Sequence, residues 1–342
     1  MNMRLLPESN SLHRVDMKEK VPRMTLFKRI VIAILIVIGV GMVFQWGYNF
    51  YSGEKANQRM DYTRVNEKKL EYKTGGSGDF TVIFDGTTGA SADEWKDLAS
   101  EVSKELGVKT FIYNRRGYGL SDGGSAIAPK DQASDLKILL RKAAANGPYI
   151  LVGEGYGSLV MTNFAKLYPE DVKGVVLINP YDEAEMKNQK NTIGSTFDLL
   201  RKKIEAVGSN CSLTLLLDKL GIASMNEDFS NNISGYAKEQ FDFNINKSNY
   251  RDAVYNETKN VYDRVSDSQT DGMFKDIPYY ILSKNEDNPL KRLGSSDLTF
   301  QYNSGYDGTV YSLNDSQNVY GAIKKVVETA RKIEKKKDTQ NN

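Results

Sequence analysis

The chain has 342 residues, with 46 Lys and Arg against 44 Asp and Glu, and a net charge of +2 excludes a nucleic-acid coat. Its one cysteine, Cys211, excludes an intrachain disulfide and a cysteine-cluster metal site. Its one histidine, His13, lies in the N-terminal tail, which excludes any mechanism that needs an imidazole in the folded body.

Residues 1–29 carry seven basic and three acidic residues, a net +4, and leave the rest of the chain at −2. Directly after Arg29 comes IVIAILIVIGVGMVF, and no charge appears until Glu54. The stretch 30–47 would run ~27 Å as a helix, close to the ~30 Å of a bilayer core. Trp46, Tyr48 and Tyr51 stand where an interfacial aromatic belt would be. The run is too long for a cleaved signal peptide, and no small-x-small site follows it. The expectation is a cytoplasmic tail (1–29), a single transmembrane anchor (30–47) and a polar tether (48–60), with the bulk of the chain outside. A lone cysteine suits a bacterial cell surface better than a eukaryotic secretory product.

Beyond residue 60, strand-like and helix-like segments alternate. The strands are KKLEYK (68–73), FTVIF (80–84), VKTFIY (108–113), YILVG (149–153), VVLIN (175–179), YYILS (279–283) and LTFQY (298–302). Helical spacing marks 94–106, 131–145 and a closing helix at 318–333. Short apolar strands between helices of this length mean βαβ units and a mostly parallel sheet covered on both faces. The alternation stops over 181–275, a polar stretch with helical patches at 197–207 and 212–222. Such an insertion reads as a helical cap over the carboxyl edge of the sheet, where ligands bind. The patches Leu199–Leu200, Leu213 and Leu215–Leu217 offer apolar faces to lie over that edge. The last residues, 333–342, read as a disordered solvated tail.

Four stretches together resemble the α/β-hydrolase family over roughly 61–332. FTVIF is followed by Asp85-Gly86 where the family has His-Gly. YNRRGYGLSD (113–122) looks like the family's Asp-Arg-x-Gly-x-Gly-x-Ser turn, with Asn114 in place of the Asp. The strand–GEGYGS–helix of 149–167 and the LINP of 177–180 complete the series. The resemblance implies an α/β-hydrolase fold: 61–180 and 276–332 form the core and 181–275 the cap.

The family's nucleophile sits in G-x-S-x-G on a tight strand-to-helix turn. Here Gly153 and Gly157 are present, and the middle position is Gly155. Moving the nucleophile to Ser158 would put Tyr156 and Val160 at flanking positions too tight for them. Asp287 falls at the family's acid position, as a remnant or as an ordinary loop Asp. Thr309 or Gly308 stands where the resemblance places the His. Asp85 and Glu154 are carboxylates near the expected oxyanion hole, opposing the charge that acyl transfer develops. They are also a conceivable acid/base pair for glycoside cleavage. There is no cation-binding or phosphate-binding motif.

The expected protein is thus an inactive, membrane-anchored hydrolase-like chain. It would bind a small apolar ligand through Asp85, Gly86, Glu154, Gly155 and Tyr156, or contact an envelope protein. It would use no cofactor, no metal and no nucleic acid. The alternative is an active hydrolase of ester or acyl substrates with unusual catalytic residues.

Overall fold

The computed structural model describes residues 23–55, 60–265 and 267–341. The chain divides into two units, Met1–Val40 and Gly41–Asn342. His13 and most of the expected cytoplasmic tail lie outside the described residues.

Helix α1 runs Arg23–Lys55. Its stretch Thr25–Tyr51 has a mean hydropathy of 2.5 and is long and apolar enough to cross a membrane. The helix does not stop at residue 47. Residues 48–55, expected as tether, stay helical, and 56–59 lie outside the described residues. Tyr48 to Lys55 contains no proline, and its polar character alone does not stop a helix.

The second unit is built on eight strands: β1 (Asp61–Val65), β2 (Lys68–Gly75), β3 (Thr81–Asp85), β4 (Lys109–Tyr113), β5 (Tyr149–Glu154), β6 (Val172–Ile178), β7 (Tyr279–Ser283) and β8 (Thr299–Asn303). They form one sheet in the order β1-β2-β4-β3-β5-β6-β7-β8. The β1–β2 and β2–β4 pairs are antiparallel, and all others are parallel. Because side chains alternate along a strand, the continuous apolar runs feed two cores. Ile83, Leu151 and Leu177 point to one face, under α3 (Pro129–Lys142) and α4 (Tyr156–Leu167). Val82, Phe84, Val152 and Ile178 point to the other, under α2 (Lys96–Leu106) and the closing helix.

Between β6 and β7 the described residues form six α-helices: α5 (Glu183–Gln189), α6 (Ile193–Gly208), α7 (Leu213–Lys219), α8 (Glu227–Asn232), α9 (Gly235–Asn244) and α10 (Ser248–Asp263). A third cluster, with Phe229, Phe241 and Tyr250 stacked edge to face, packs this insertion onto Ala90 and Val310 of the core. After β8 come α11 (Tyr311–Asn314) and α12 (Ser316–Asn341). The stretch 333–341, expected to be disordered, is the last part of α12. It is rich in Lys and Glu, which favour helix even when solvated.

The leucines expected to cover the sheet edge mostly do not. Leu200, Leu213 and Leu216 are exposed on the outer surface of the insertion, and only Leu215 of that group is buried. Periodicity identifies an apolar face but not which side of the insertion that face takes.

Candidate functional site

Strand β5 ends at Glu154 and α4 begins at Tyr156, so the whole turn is Gly155. Its φ of +52° and ψ of −116° are accessible to glycine and strained for other residues. The backbone around it is packed to the limit. A Cβ at Gly157 would stand 2.3 Å from the carbonyl oxygen of Asp85, and one at Gly153 would stand 2.8 Å from that of Gly157. The Gly155 amide donates to the Ile178 carbonyl at 3.0 Å, tying the turn to β6.

Where a nucleophile's side chain would start, there is another residue. A Cβ on Gly155 would lie 2.5 Å from the Thr87 hydroxyl oxygen. Ser158 is fully buried and occupied structurally: its hydroxyl donates to the Gly155 carbonyl at 2.6 Å and accepts from the Tyr181 amide at 3.1 Å.

Thr309, at the expected base position, meets the cap. Its amide donates to Asp228 Oδ2 at 2.5 Å, and its hydroxyl donates to the same oxygen at 2.9 Å. Asp287 is exposed and pairs with Lys291 at 3.0 Å. It therefore behaves as the ordinary loop Asp of the two readings.

The other expected residues form a buried charged cluster. Arg115, which is buried, donates to Asp85, to Glu257 of α10 at 2.7 and 3.1 Å, and to the carbonyls of Gly86 and Thr87 at 2.8 and 3.1 Å. Tyr113 donates to Asp85 at 2.8 Å, and Tyr118 to Glu257 at 2.8 Å. Burial opposes the charge on Arg115, but Asp85 and Glu257 outweigh it and hold its pKa well above the usual value. Tyr156 is buried too, accepting from Asn260 at 2.9 Å.

Glu154 accepts from the amides of Tyr311 and Ser312 at the start of α11. Burial nevertheless pushes its pKa up to about 7, against those amides. Glu94 is buried against Gly86: a Cβ there would be 2.5 Å from Glu94 Oε1. Burial first and Glu154 second raise Glu94 well above the carboxylate range. The Thr87 amide opposes that shift in part. Fully ionised, the cluster would set four carboxylates against one guanidinium, and burial shifts Glu94 and Glu154 toward their neutral forms.

Above the turn lies a cavity of about 460 Å³ between the core and the cap. Thr87, Thr88 and Thr309 face it from the core, and Asp198, Lys202 and Asp228 face it from the cap. Tyr250 and Val254 give it an apolar wall. Of the residues expected to hold a ligand, Asp85, Gly86, Glu154, Gly155 and Tyr156 do not line it. They form its foundation, and Thr309 is the expected position that reaches the space. Asp85 and Glu154 are both buried beneath the turn. The cap leucines expected to line it do not; its apolar surface comes from Tyr181, Met225, Tyr250 and Val254, set among polar groups. Among the described residues, no group of three His, Cys, Asp or Glu is placed to hold a metal ion.

Sequence reasoning missed Thr87, Asp228 and Glu257. Thr87 follows Asp85-Gly86 directly, so the tight packing of β3 against the turn was a usable signal. Asp228 and Glu257 lie in the cap and meet partners far along the chain, which no local pattern reports.

The chain's similarities fit this architecture. The sequence description of the alpha/beta hydrolase fold matches residues 82–301. The Bacillus subtilis (strain 168) protein YqjL is 32% identical over 111 residues, covering 32% of this chain and 43% of YqjL. Pyrrolizixenacetamide deacetylase of Xenorhabdus hominickii is 28% identical over 155 residues, 45% of this chain and 58% of that protein. The chain thus spans about half the length of the curated relatives it matches. Among solved structures, the Cif epoxide hydrolase of Acinetobacter nosocomialis superposes with a TM-score of 0.63 at 12% identity, over 82% of this chain and 95% of that one. Epoxide hydrolase CorEH superposes with a TM-score of 0.61 at 16% identity, over 78% and 97%. At these identities the structural likeness concerns the fold.

Proposed function

This chain belongs to the α/β-hydrolase fold family, and we propose that it is a membrane-anchored member that binds a ligand instead of hydrolysing one. The observation that carries this is Gly155. A hydrolase turn presents a nucleophile at that point, and acyl transfer also needs a base that takes and returns a proton near neutral pH. Gly155 supplies no side chain, Thr87 fills the space, and Thr309 is bonded to Asp228 where a base is expected.

What is retained is the cavity. Its carboxylates, Asp198, Glu227 and Asp228, outnumber Lys202, and Thr87, Thr88 and Thr309 share the lining. That chemistry favours a small polar ligand with a positively charged or hydrogen-bond-donating group. The long apolar helix and the basic flank before it support an N-terminus inside and a domain outside. An envelope protein contacting the outer face of the cap is compatible with the same anchoring.

The test of inactivity is direct. The full chain, purified in detergent, is incubated with short acyl esters and with a fluorophosphonate probe. We expect no turnover above that of the Gly155→Ala variant and no labelling. Ester cleavage blocked by the probe, with the label mapped to residues 60–341, would overturn the reading. Topology is tested separately by adding protease to intact cells, which should remove the domain and leave a short membrane fragment. A domain protected until lysis would reverse the orientation.

A further inference from the structure

We propose that a groove between β2 and α2 binds a phosphate monoester, at a site that shares no lining residue with the cavity between core and cap. The inference stands apart from the ligand reading above and needs neither that cavity nor the anchor.

The strand register builds the floor. Lys73 pairs with Ile112 and Gly75 with Thr110 across the β2–β4 ladder, so all four sit on one face of the sheet. Ile112 belongs to the core packed under α2, which identifies that face. Gly75 sends no side chain over its partner, and a Cβ there would stand 2.8 Å from the Thr110 hydroxyl oxygen. Thr110 is only 5% exposed, yet its hydroxyl has no hydrogen-bond partner among the described residues. It lines the groove, and a buried hydroxyl left unpaired costs free energy unless something entering the groove meets it.

Helix α2 forms the wall. Lys96, Ser100 and Lys104 recur every four residues and set one polar stripe along the groove. The acids Asp97, Glu101 and Glu105 make the next stripe and do not line it. Glu101 and Glu105 turn toward Tyr320 of α12, whose hydroxyl pKa is raised by burial first and then by these carboxylates. The groove, about 340 Å³, is thus lined by three lysines and no carboxylate. None of the three lysines forms an ion pair among the described residues.

Three ammonium groups beside uncovered hydroxyls match an anion with more charge and more acceptors than one carboxylate. A phosphate monoester carries about −1.5 to −2 at neutral pH and presents three acceptor oxygens. Lysine binds such a group as a compact point charge with three donors. A neighbouring space of about 270 Å³ shares Lys73, Lys96 and Ile112 and runs on to Met60, Leu120 and Tyr236. Its two carboxylates, Glu71 and Asp93, repel an anionic end and leave this space to the uncharged remainder of the ester. No linear motif marks the site, because a strand and a helix supply its charges from separate parts of the chain.

The experiment uses the full chain in nanodiscs of phosphatidylcholine and phosphatidylglycerol, titrated by calorimetry with phenyl phosphate and with benzoate. Phenyl phosphate should bind saturably and about tenfold more tightly than benzoate. The double variant Lys73→Gln/Lys104→Gln should weaken it by about tenfold. Thr110→Val should weaken it by about threefold and leave the thermal midpoint of the ligand-free protein unchanged or higher, since the hydroxyl has no partner to lose. Replacing phosphatidylglycerol by phosphatidic acid distinguishes two sources of the same group. Competition with phenyl phosphate would assign the site to a lipid headgroup, and unchanged affinity would assign it to a soluble ester. No saturable binding, equal affinity for benzoate, or an affinity unmoved in the double lysine variant would overturn the proposal. Binding lost in Lys202→Gln instead would put the anion in the cavity under the cap, and would also overturn it.

Discussion

The hydroxyl of Thr87 occupies the volume that a side chain on Gly155 would need, with only 2.5 Å between that oxygen and the position of a Cβ. The loop after β3 has closed over the turn after β5. Placing any side chain at this turn is therefore a packing problem before it is a chemical one.

Gly155→Ser should be destabilised by about 1–3 kcal/mol, from positive φ and from crowding against Thr87. It should also show no more than trace ester cleavage. Adding Thr87→Gly should recover the crowding part but not the backbone part. Thermal unfolding of the single and double variants in detergent separates the two. An unchanged midpoint for Gly155→Ser would mean that Thr87 moves aside freely.

Arg115 and Glu257 join the core to the cap through a buried bidentate pair. Glu257→Gln keeps the shape of the side chain and removes its charge. Breaking a buried pair by neutralising one partner costs about 3–5 kcal/mol. Asp85 remains beside Arg115, so the loss should fall at the lower end of that range. Denaturant titration of the full chain provides the measurement, and a loss below about 1 kcal/mol would mark the pair as weakly coupled.

Stability should depend on pH through Glu154. Burial raises its pKa from an ordinary 4.5 to about 7. Between these values the folded protein holds a proton that the unfolded chain releases. Stability should therefore fall as pH rises through that window and level off above it. Glu154→Gln should reduce the slope, and the double variant Glu94→Gln/Glu154→Gln should nearly abolish it, because Glu94 is shifted in the same direction. A wild-type protein that gains stability from pH 5 to pH 7 would contradict this assignment.

Asp228 holds Thr309 across the gap between cap and core. Asp228→Asn should weaken both bonds and lower the charge of the cavity. Binding of small cationic amines, followed by calorimetry, should weaken by roughly tenfold if the carboxylate faces the ligand, about 1.4 kcal/mol. Equal affinity in both proteins would place any cation elsewhere in the cavity.

The fold was legible because β3, β5 and β6 are buried on both faces, so their sequences read as unbroken apolar runs. Gly155 was legible for a related reason: a strand, one residue and a helix leave little freedom in how the turn is aligned. The faces of the cap were not legible. Leu200 and Leu216 show that a helix is amphipathic, but what lies opposite each face is set by segments far along the chain. Glu257 gave no local sign, since its meaning comes from Arg115, far away in the chain. The helices run on to Lys55 and Asn341 through polar residues, because polar composition does not stop a helix and Lys and Glu propagate one well.

Gly153 and Gly157 are required by the Asp85 carbonyl and by each other, whatever residue stands between them. The spaced-glycine signature around the turn is therefore a record of how closely β3, β5 and α4 approach, and it holds whatever residue stands between the two glycines. The informative letter is the one in the middle.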